Sequence, residues 1–316
     1  LRPARRRALL EGAETAPSPK SASAPERRPR CHTKTEVLIA GCGYVGQRLA
    51  ELLVEAGCVV HAVRRRWPVP PPPGVRAYEV DLTDAAAVAR LPRVEQVVFA
   101  AAAGGFSDEL YRRAYVEALG TVAAWAQGVQ RFVFTSSTGV YGVGDGDWVD
   151  EDTPVATSPF SALRLVEGER LLAASGLPAV SLRLGGIYGP GRTSLLDSVR
   201  DGSARLGPLG APPVWTNRVH REDAARMLRH LLRLPRPLPL YLGVDDEPAA
   251  RDDVLRFAAR LLGRPEPEHG APGTPAPQRG NRRCRNARLR ASGYDFAYPT
   301  YREGLAALAL TTDSSP

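Results

Sequence analysis

Gly41, Gly43 and Gly46 stand at a spacing that suits a loop wrapped around phosphate. A short apolar run, residues 36–40, precedes them, and apolar residues at helical spacing (Leu49, Leu52, Leu53, Ala56) follow. Between a strand and a helix, each glycine has its own task. The first allows a tight turn, the second lets backbone approach a pyrophosphate, and the third lets helix pack on strand. The helix start adds unpaired N–H groups and a favourable dipole for the phosphates. Gly41, Gly43, Tyr44, Val45 and Gly46 are therefore candidate dinucleotide-binding residues. The competing reading is a turn that kept its glycines for backbone geometry alone.

The end of the next strand reads Val63-Arg64-Arg65-Arg66. An NAD site usually places a carboxylate there, on the ribose hydroxyls. Guanidinium groups in its place suit a 2′-phosphate, so Arg64 and Arg65 favour NADP(H) over the alternative, NAD. Against this stands a plain solvated basic loop.

The elements around these residues alternate. Strands are expected at 36–40, 58–63, 76–80, 96–103, 131–136 and 179–184. Helices are expected at 46–56, from about 84, at 107–127 and at 159–174. Strand and helix in strict alternation predict an α/β fold, a doubly wound parallel (Rossmann) sheet. After Gly191 the pattern loosens, with helices expected at 194–201, 221–233, 251–262 and 301–308 and a strand at 240–243. The expected organisation is a tail (1–34), a dinucleotide-binding core (35–192), and a small, mainly substrate-binding lobe (193–316) with some segments returning to the core.

Two further segments join the glycine turn: Phe132-Val133-Phe134-Thr135-Ser136-Ser137-Thr138-Gly139-Val140-Tyr141-Gly142 and Leu182-Arg183-Leu184-Gly185-Gly186-Ile187-Tyr188-Gly189-Pro190-Gly191. In this order the three resemble the extended short-chain dehydrogenases, the NAD-dependent epimerase/dehydratase family. Asn217-Arg218-Val219-His220-Arg221-Glu222-Asp223, Val244-Asp245-Asp246-Glu247-Pro248 and Asn286-Ala287-Arg288-Leu289-Arg290 resemble an atypical subgroup of it. The resemblance implies that Asp81 and Leu82 meet the adenine ring and that Ala100, Ala101 and Ala102 pass close to the cofactor. It implies that Ser137 bonds the substrate oxygen, although a hydroxyl there also suits capping the strand-end turn.

The same resemblance exposes a gap. Where the family carries Tyr-x-x-x-Lys, an ungapped alignment places Phe160 and Arg164, and a shift by one residue gives Ser161 and Leu165. Phenylalanine has no proton to give. Arg164 keeps a charge for the cofactor ribose or phosphate but cannot tune a phenol that is absent. Glu117 replaces an asparagine in the preceding helix. Three explanations stay open: another acid or base (Tyr141, Tyr188, Glu117 or His220), a sensor or scaffold without turnover, or a slow reaction driven by hydride positioning. Tyr141 and Tyr188 also suit packing at strand ends, and His220 suits a satisfied histidine beside Asp223.

The expected function is an NADP(H)-favouring oxidoreductase or epimerase/dehydratase-like protein. Its substrate is a small molecule with a carbonyl or carbinol. Arg279, Arg282, Arg283, Arg285, Arg288 and Arg290 suit an anionic one, such as a nucleotide-sugar, or else a solvated basic face. A homodimer is implied by the resemblance.

The net charge of +8 on 316 residues does not imply a nucleic-acid partner. Residues 1–34 hold nine Lys/Arg and three acids, and the rest holds 33 basic and 31 acidic residues, only +2. No apolar run spans a bilayer, so no membrane is expected. Four scattered cysteines without Cys-x-x-Cys argue against zinc or disulfides and fit a reducing, cytoplasmic setting. Residues 1–34 lack hydrophobic period and read as disordered. An organellar transit peptide is the alternative there, and whether the segment belongs to the mature protein stays open.

Overall fold

The computed structural model describes residues 34–142, 144–271 and 280–312. The expected tail, apart from Lys34, lies outside them, as do Cys31 and Arg279. From Lys34 onward the chain forms one compact unit.

The first half contains β1 (Glu36–Ala40), α1 (Tyr44–Glu55), β2 (Val59–Arg64), β3 (Val75–Glu79), α2 (Ala85–Ala89) and β4 (Gln96–Phe99). Next come α3 (Asp108–Arg112), a π-helical segment (Arg113–Ala118), α4 (Leu119–Trp125), β5 (Arg131–Ser137), a 3-10 turn (Thr138–Tyr141) and β6 (Trp148–Val149). The middle contains α5 (Phe160–Ala174), β7 (Ala179–Leu184), β8 (Gly186–Tyr188), α6 (Ser194–Arg200), β9 (Trp215–Thr216), β10 (Arg218–His220) and α7 (Arg221–Arg233). The last part holds β11 (Leu240–Gly243), β12 (Ala249–Ala250), α8 (Arg251–Leu261), β13 (Arg283–Cys284), α9 (Ala287–Ala291) and α10 (Tyr301–Thr312).

Seven parallel strands form the main sheet in the order β11-β7-β5-β4-β1-β2-β3. The fold is the expected doubly wound α/β sheet. Side chains of β1 alternate between its two faces: Val37 and Ile39 join one core, Leu38 and Ala40 the other. All four are fully buried, and each of the three larger ones contributes about 1.5–3 kcal/mol by burial. That burial fixes the register of β1, and with it the position of the glycine turn. The chain runs from β1 through β2 to β3, then returns to β4 on the other side of β1. This reversal opens a crevice at the C-terminal ends of β1 and β4, where ligands of such sheets bind. A third core, built from α6, α8 and α10, sits apart from the sheet cores.

Two expectations need correction, and one set of elements was not expected. β4 ends at Phe99 instead of 103, because after Ala100 N–H donates to the Ala40 carbonyl the chain turns across Gly41. The helix expected over 107–127 is broken into α3, the π-helical segment and α4. There the Tyr115 carbonyl lies 2.4 Å from where a Cβ on Gly168 of α5 would stand, so the widened turn and the bare glycine go together. Finally β6, β8, β9, β10, β12 and β13, of two or three residues each, are too short to show any period.

Candidate cofactor and active site

The glycine turn is tied to β2 by Gly41 N–H and Cys42 N–H, which both donate to the Val63 carbonyl at 3.0 Å. Gly41 has φ +95°, and a Cβ there would lie 2.2 Å from Ala101 N and 2.3 Å from its Cα. Gly46 is needed for packing, since its Cβ would stand 2.8 Å from the Gly41 carbonyl oxygen. Gly43 differs: a Cβ there would meet no atom within 4 Å. The second glycine therefore faces open space, the property a phosphate cradle requires. Helix α1 has no side-chain N-cap and no acid in its first turn, so its first N–H groups face no competing carboxylate. Burial pushes the Cys42 thiol up to about 12, so the cysteine inside this turn is inert.

Gly41 thus meets Ala100 and Ala101, and the turn from Gly41 to Gly46 stands beside the end of β4. Leu82 is buried, and Asp81 accepts from Thr83 N–H at 3.0 Å, Thr83 O–H at 2.8 Å and Arg113 at 2.5 Å. Burial pushes the Asp81 carboxyl up, but those donors outweigh it and hold it below its ordinary value. Arg64 ends β2 with its guanidinium 5.4 Å from the Trp67 ring centroid. Arg65 reaches the loop after β4, with Nη2 3.3 Å from where a Cβ on Gly104 would stand.

At the end of β5, Ser137 Oγ accepts from Gly139 N–H at 3.0 Å and caps the 3-10 turn. Its own proton stays available to donate. Tyr141 is a correction as a candidate acid. Its O–H donates to the Asp150 carbonyl at 2.5 Å, and its oxygen accepts from Arg183 at 2.7 Å. Arg183 forms two bonds with Glu169 (2.9 and 2.7 Å), which also accepts from Ser136 O–H at 2.6 Å. This buried network joins β5, β7 and α5, and burial pushes the Tyr141 phenol up to about 12. Its proton is spent on a backbone carbonyl and points at no ligand. The network escaped sequence reading because four distant segments build it.

The other acid/base candidates fare similarly. Tyr188 packs on His220 at 5.3 Å, and its buried hydroxyl has no partner among the described residues. Burial raises its pKa strongly. Glu117 lies on the π-helical segment with its carboxylate half-exposed, 3.6 Å from Arg112. His220 caps α7, with Nδ1 accepting from Glu222 N–H at 3.2 Å. That bond requires a neutral ring, and burial lowers the His220 pKa to about 4 from its ordinary 6.5. The folded state therefore resists a proton that the unfolded chain takes up. The stability from neutral His220 is full above pH 6.5 and is lost as the pH falls toward 4. We expect thermal unfolding midpoints to drop between pH 6.5 and 4.5, and less steeply in His220→Asn, whose side chain still caps the helix. Equal slopes in the two proteins would refute this account.

Phe160, at the start of α5, sits in an aromatic cluster. Its ring centroid is 5.0 Å from Phe106 and 5.6 Å from Tyr111, and Tyr111 lies 5.3 Å from Tyr115. Arg164, one turn later, is committed. It forms two bonds with Asp108 (2.7 and 2.9 Å) and one with Glu167 (2.8 Å). Among the described residues no group of three His, Cys, Asp or Glu could hold a metal ion, and no helix is long and apolar enough to cross a membrane.

The profile of the NAD dependent epimerase/dehydratase family matches residues 37–238. The chain belongs to that family. Protein YeeZ of Escherichia coli K12 is 35% identical over 167 residues, which cover 52% of this chain and 57% of YeeZ. The match thus spans little more than half of that relative. A Methylobacillus flagellatus structure described as a candidate NAD-dependent epimerase/dehydratase is 36% identical, with TM-score 0.75, covering 89% of this chain and all of the other. MoeE5, solved with UDP-glucose and NAD, is 25% identical at TM-score 0.73 over 88% of this chain and 99% of its own.

In this epimerase/dehydratase chain the basic stretch near the end divides. Arg288 pairs with Asp152 at 2.9 Å and Glu151 at 3.7 Å. Arg290 pairs with Asp246 and with Asp295 at 3.4 Å. Arg282 is buried and donates to the Gly142 carbonyl. Arg283 lies 5.1 Å from the Trp148 ring and 4.8 Å from Trp215, and Arg285 lies 5.0 Å from Trp148. Arg283 also donates to the Gly146 carbonyl at 2.7 Å, and the Thr153 hydroxyl, with a smaller contribution from the Arg285 charge, holds the Asp150 carboxyl below its ordinary value. Of the five described arginines of this stretch, Arg283 and Arg285 form no ion pair among the described residues and stay the candidates for an anion, while Arg282 serves a carbonyl and Arg288 and Arg290 hold neighbouring acids. Sequence reading also missed Tyr111, whose ring meets that of Phe160, and Tyr115 beside it, a placement that depends on how α3 and the π-helical segment pack on α5.

Proposed function

We propose that the chain is an NAD(P)-binding oxidoreductase or epimerase/dehydratase-like protein, with NADP(H) favoured, acting on a carbonyl or carbinol of an anionic small molecule. The observation that carries the reading is the open space at Gly43, at the crevice where the sheet order reverses. A bound nicotinamide cofactor supplies hydride transfer. The chain's part is to hold it through the glycine turn, Ala100 and Ala101, with Asp81 and Leu82 on the adenine side. Arg64 and Arg65 at the end of β2, where the sequence carries no carboxylate, support the NADP(H) preference. Ser137 has a proton to donate to a substrate oxygen, and Tyr111, with Tyr115 beside it, is a phenol in contact with the Phe160 position that replaces the family's tyrosine. A nucleotide-sugar is the proposed substrate class, supported by MoeE5 and by Arg283 and Arg285 around Trp148. Residues 193–316 are the proposed, mainly substrate-binding, lobe.

Titration calorimetry tests this. NADPH is expected to bind about tenfold tighter than NADH, with Arg64→Ala/Arg65→Ala erasing the difference. Tighter binding of NADH would overturn the NADP preference. UDP-glucose is expected to bind the cofactor-loaded protein and to weaken about tenfold in Arg283→Ala/Arg285→Ala. An unchanged affinity there would remove these arginines from the substrate site.

The second reading is a dinucleotide-binding sensor or scaffold. It is supported by Phe160 in its aromatic cluster and by Arg164 held on Asp108 and Glu167. Binding of NADPH without oxidation under any tested carbonyl substrate would favour it.

A further inference from the structure

Three positive features converge on Tyr44, the first residue of α1, and no acid neutralises them. The Arg192 guanidinium carbon lies 4.1 Å from the Tyr44 ring centroid and that of Arg221 lies 4.8 Å from it. The third feature is the positive end of α1 itself. Neither arginine has a carboxylate within ion-pair distance among the described residues. The nearest acid in sequence, Glu222, is bonded to Arg48 at 2.5 Å. The Nε of Arg221 is buried and has no acceptor among the described residues.

This convergence is built by the chain. Tyr44 O–H donates to the Pro190 carbonyl at 2.9 Å, which holds the loop after β8 on the start of α1. Gly189, between β8 and that loop, has φ +148°, and a Cβ on it would stand 2.9 Å from both Arg221 Cβ and Tyr44 Oη. A bare glycine thus lets the start of α7, the loop and Tyr44 close together. Two guanidinium groups held on one ring repel each other, and a buried N–H without an acceptor is costly. An anion with several acceptor oxygens relieves both. The open side of the turn lies at Gly43, the residue before Tyr44.

We infer that Arg192 and Arg221 form the guanidinium half of a diphosphate site whose other half is the Gly41–Gly46 turn. A bound diphosphate then ties the loop after β8 and the start of α7 to α1. The inference deepens the dinucleotide reading and rests on it for the ligand's identity. The recognised chemistry is a diphosphate, whether in a dinucleotide or a nucleoside diphosphate.

The test is titration calorimetry of the full chain with inorganic pyrophosphate, ADP, AMP and NADPH. Arg192 is exposed, so Arg192→Ala leaves the core intact and Arg192→Lys keeps the charge. Arg192→Ala and Arg221→Ala are each expected to weaken ADP and NADPH about tenfold, and the double variant more. The loss for AMP, with one phosphate, should be smaller, and Arg192→Lys should recover part of the affinity. Wild-type affinity of the double variant for pyrophosphate, ADP and NADPH would overturn the inference while leaving the dinucleotide reading in place. Arginine-dependent binding of pyrophosphate and ADP without binding of NADPH, or of NADH titrated beside it, would uphold the diphosphate site and defeat the dinucleotide reading. A wild-type protein that binds neither these four nor NADH would defeat both.

Discussion

Gly41→Ala is expected to lower folding stability by about 4 kcal/mol, whereas Gly43→Ala should change it by no more than about 1 kcal/mol. Both glycines belong to one turn, yet their surroundings differ. At Gly41 the backbone has φ +95°, which an L side chain rarely adopts, and the added methyl would stand 2.2 to 2.7 Å from backbone atoms of Ala101 and Ala100. Those atoms end β4 in the middle of the sheet, so relief requires moving a strand. At Gly43 φ is −86° and the methyl meets nothing. What it fills is the space proposed for phosphate, so dinucleotide affinity should fall about tenfold or more. Urea unfolding checks the first claim, with the midpoint expected to fall at an unchanged m value. Calorimetric titration of Gly43→Ala with NADPH checks the second. A stable Gly43→Ala that binds NADPH as the wild type does would show that the turn keeps this glycine for something other than phosphate.

Asp223→Ala is expected to cost about 4 kcal/mol, although the residue touches no proposed ligand. Its carboxylate is fully buried at the start of α7 and accepts three bonds from the C-terminal segment. These come from Tyr294 O–H at 2.7 Å, Ala297 N–H at 2.8 Å and Tyr298 N–H at 2.9 Å. Alanine would strand the two backbone donors, which no rotamer change can redirect, and would leave Tyr294 O–H only its longer bond to the residue 223 carbonyl at 3.1 Å. The effect should reach the site as well, because the Tyr298 ring lies 4.0 Å from His220, the residue before Arg221. Urea unfolding of Asp223→Ala, Tyr294→Phe and the double variant measures it. Coupling between the two substitutions is expected, and additive losses would mean that the Tyr294 bond contributes nothing.

How much of this was legible in the sequence depended on whether local residues sufficed. Strands β1, β2 and β7 announce themselves as short apolar runs, because strands buried on both faces tolerate little else. The glycine turn was legible because each glycine answers a local demand, a positive φ, an open approach or a close packing. The break in the helix over 107–127 was not, since it depends on a bare glycine on α5, some fifty residues away by chain. Tyr141 looked like a free phenol beside a strand end. It proved to be spent because Arg183, Glu169 and the Asp150 carbonyl arrive from three other segments. The run of C-terminal arginines looked uniform, and acids from elsewhere divided it into paired and unpaired members.

The sequence by itself determined the alternation of strand and helix, the doubly wound sheet, the place of the glycine turn and the Arg64–Arg65 pair at the end of β2. These follow from periodicity, from glycine's missing side chain and from the fixed charge of arginine, all properties of residues and their near neighbours. Only the tertiary structure decided which polar groups are still free. A hydroxyl or guanidinium is available to a ligand to the extent that carbonyls and carboxylates from other segments leave its donors unmet. That is a matter of which strands and helices come side by side, and no local pattern encodes it. It is why Tyr141 and Arg164 are occupied, and why Arg192 and Arg221, twenty-nine residues apart by chain, both meet the Tyr44 ring.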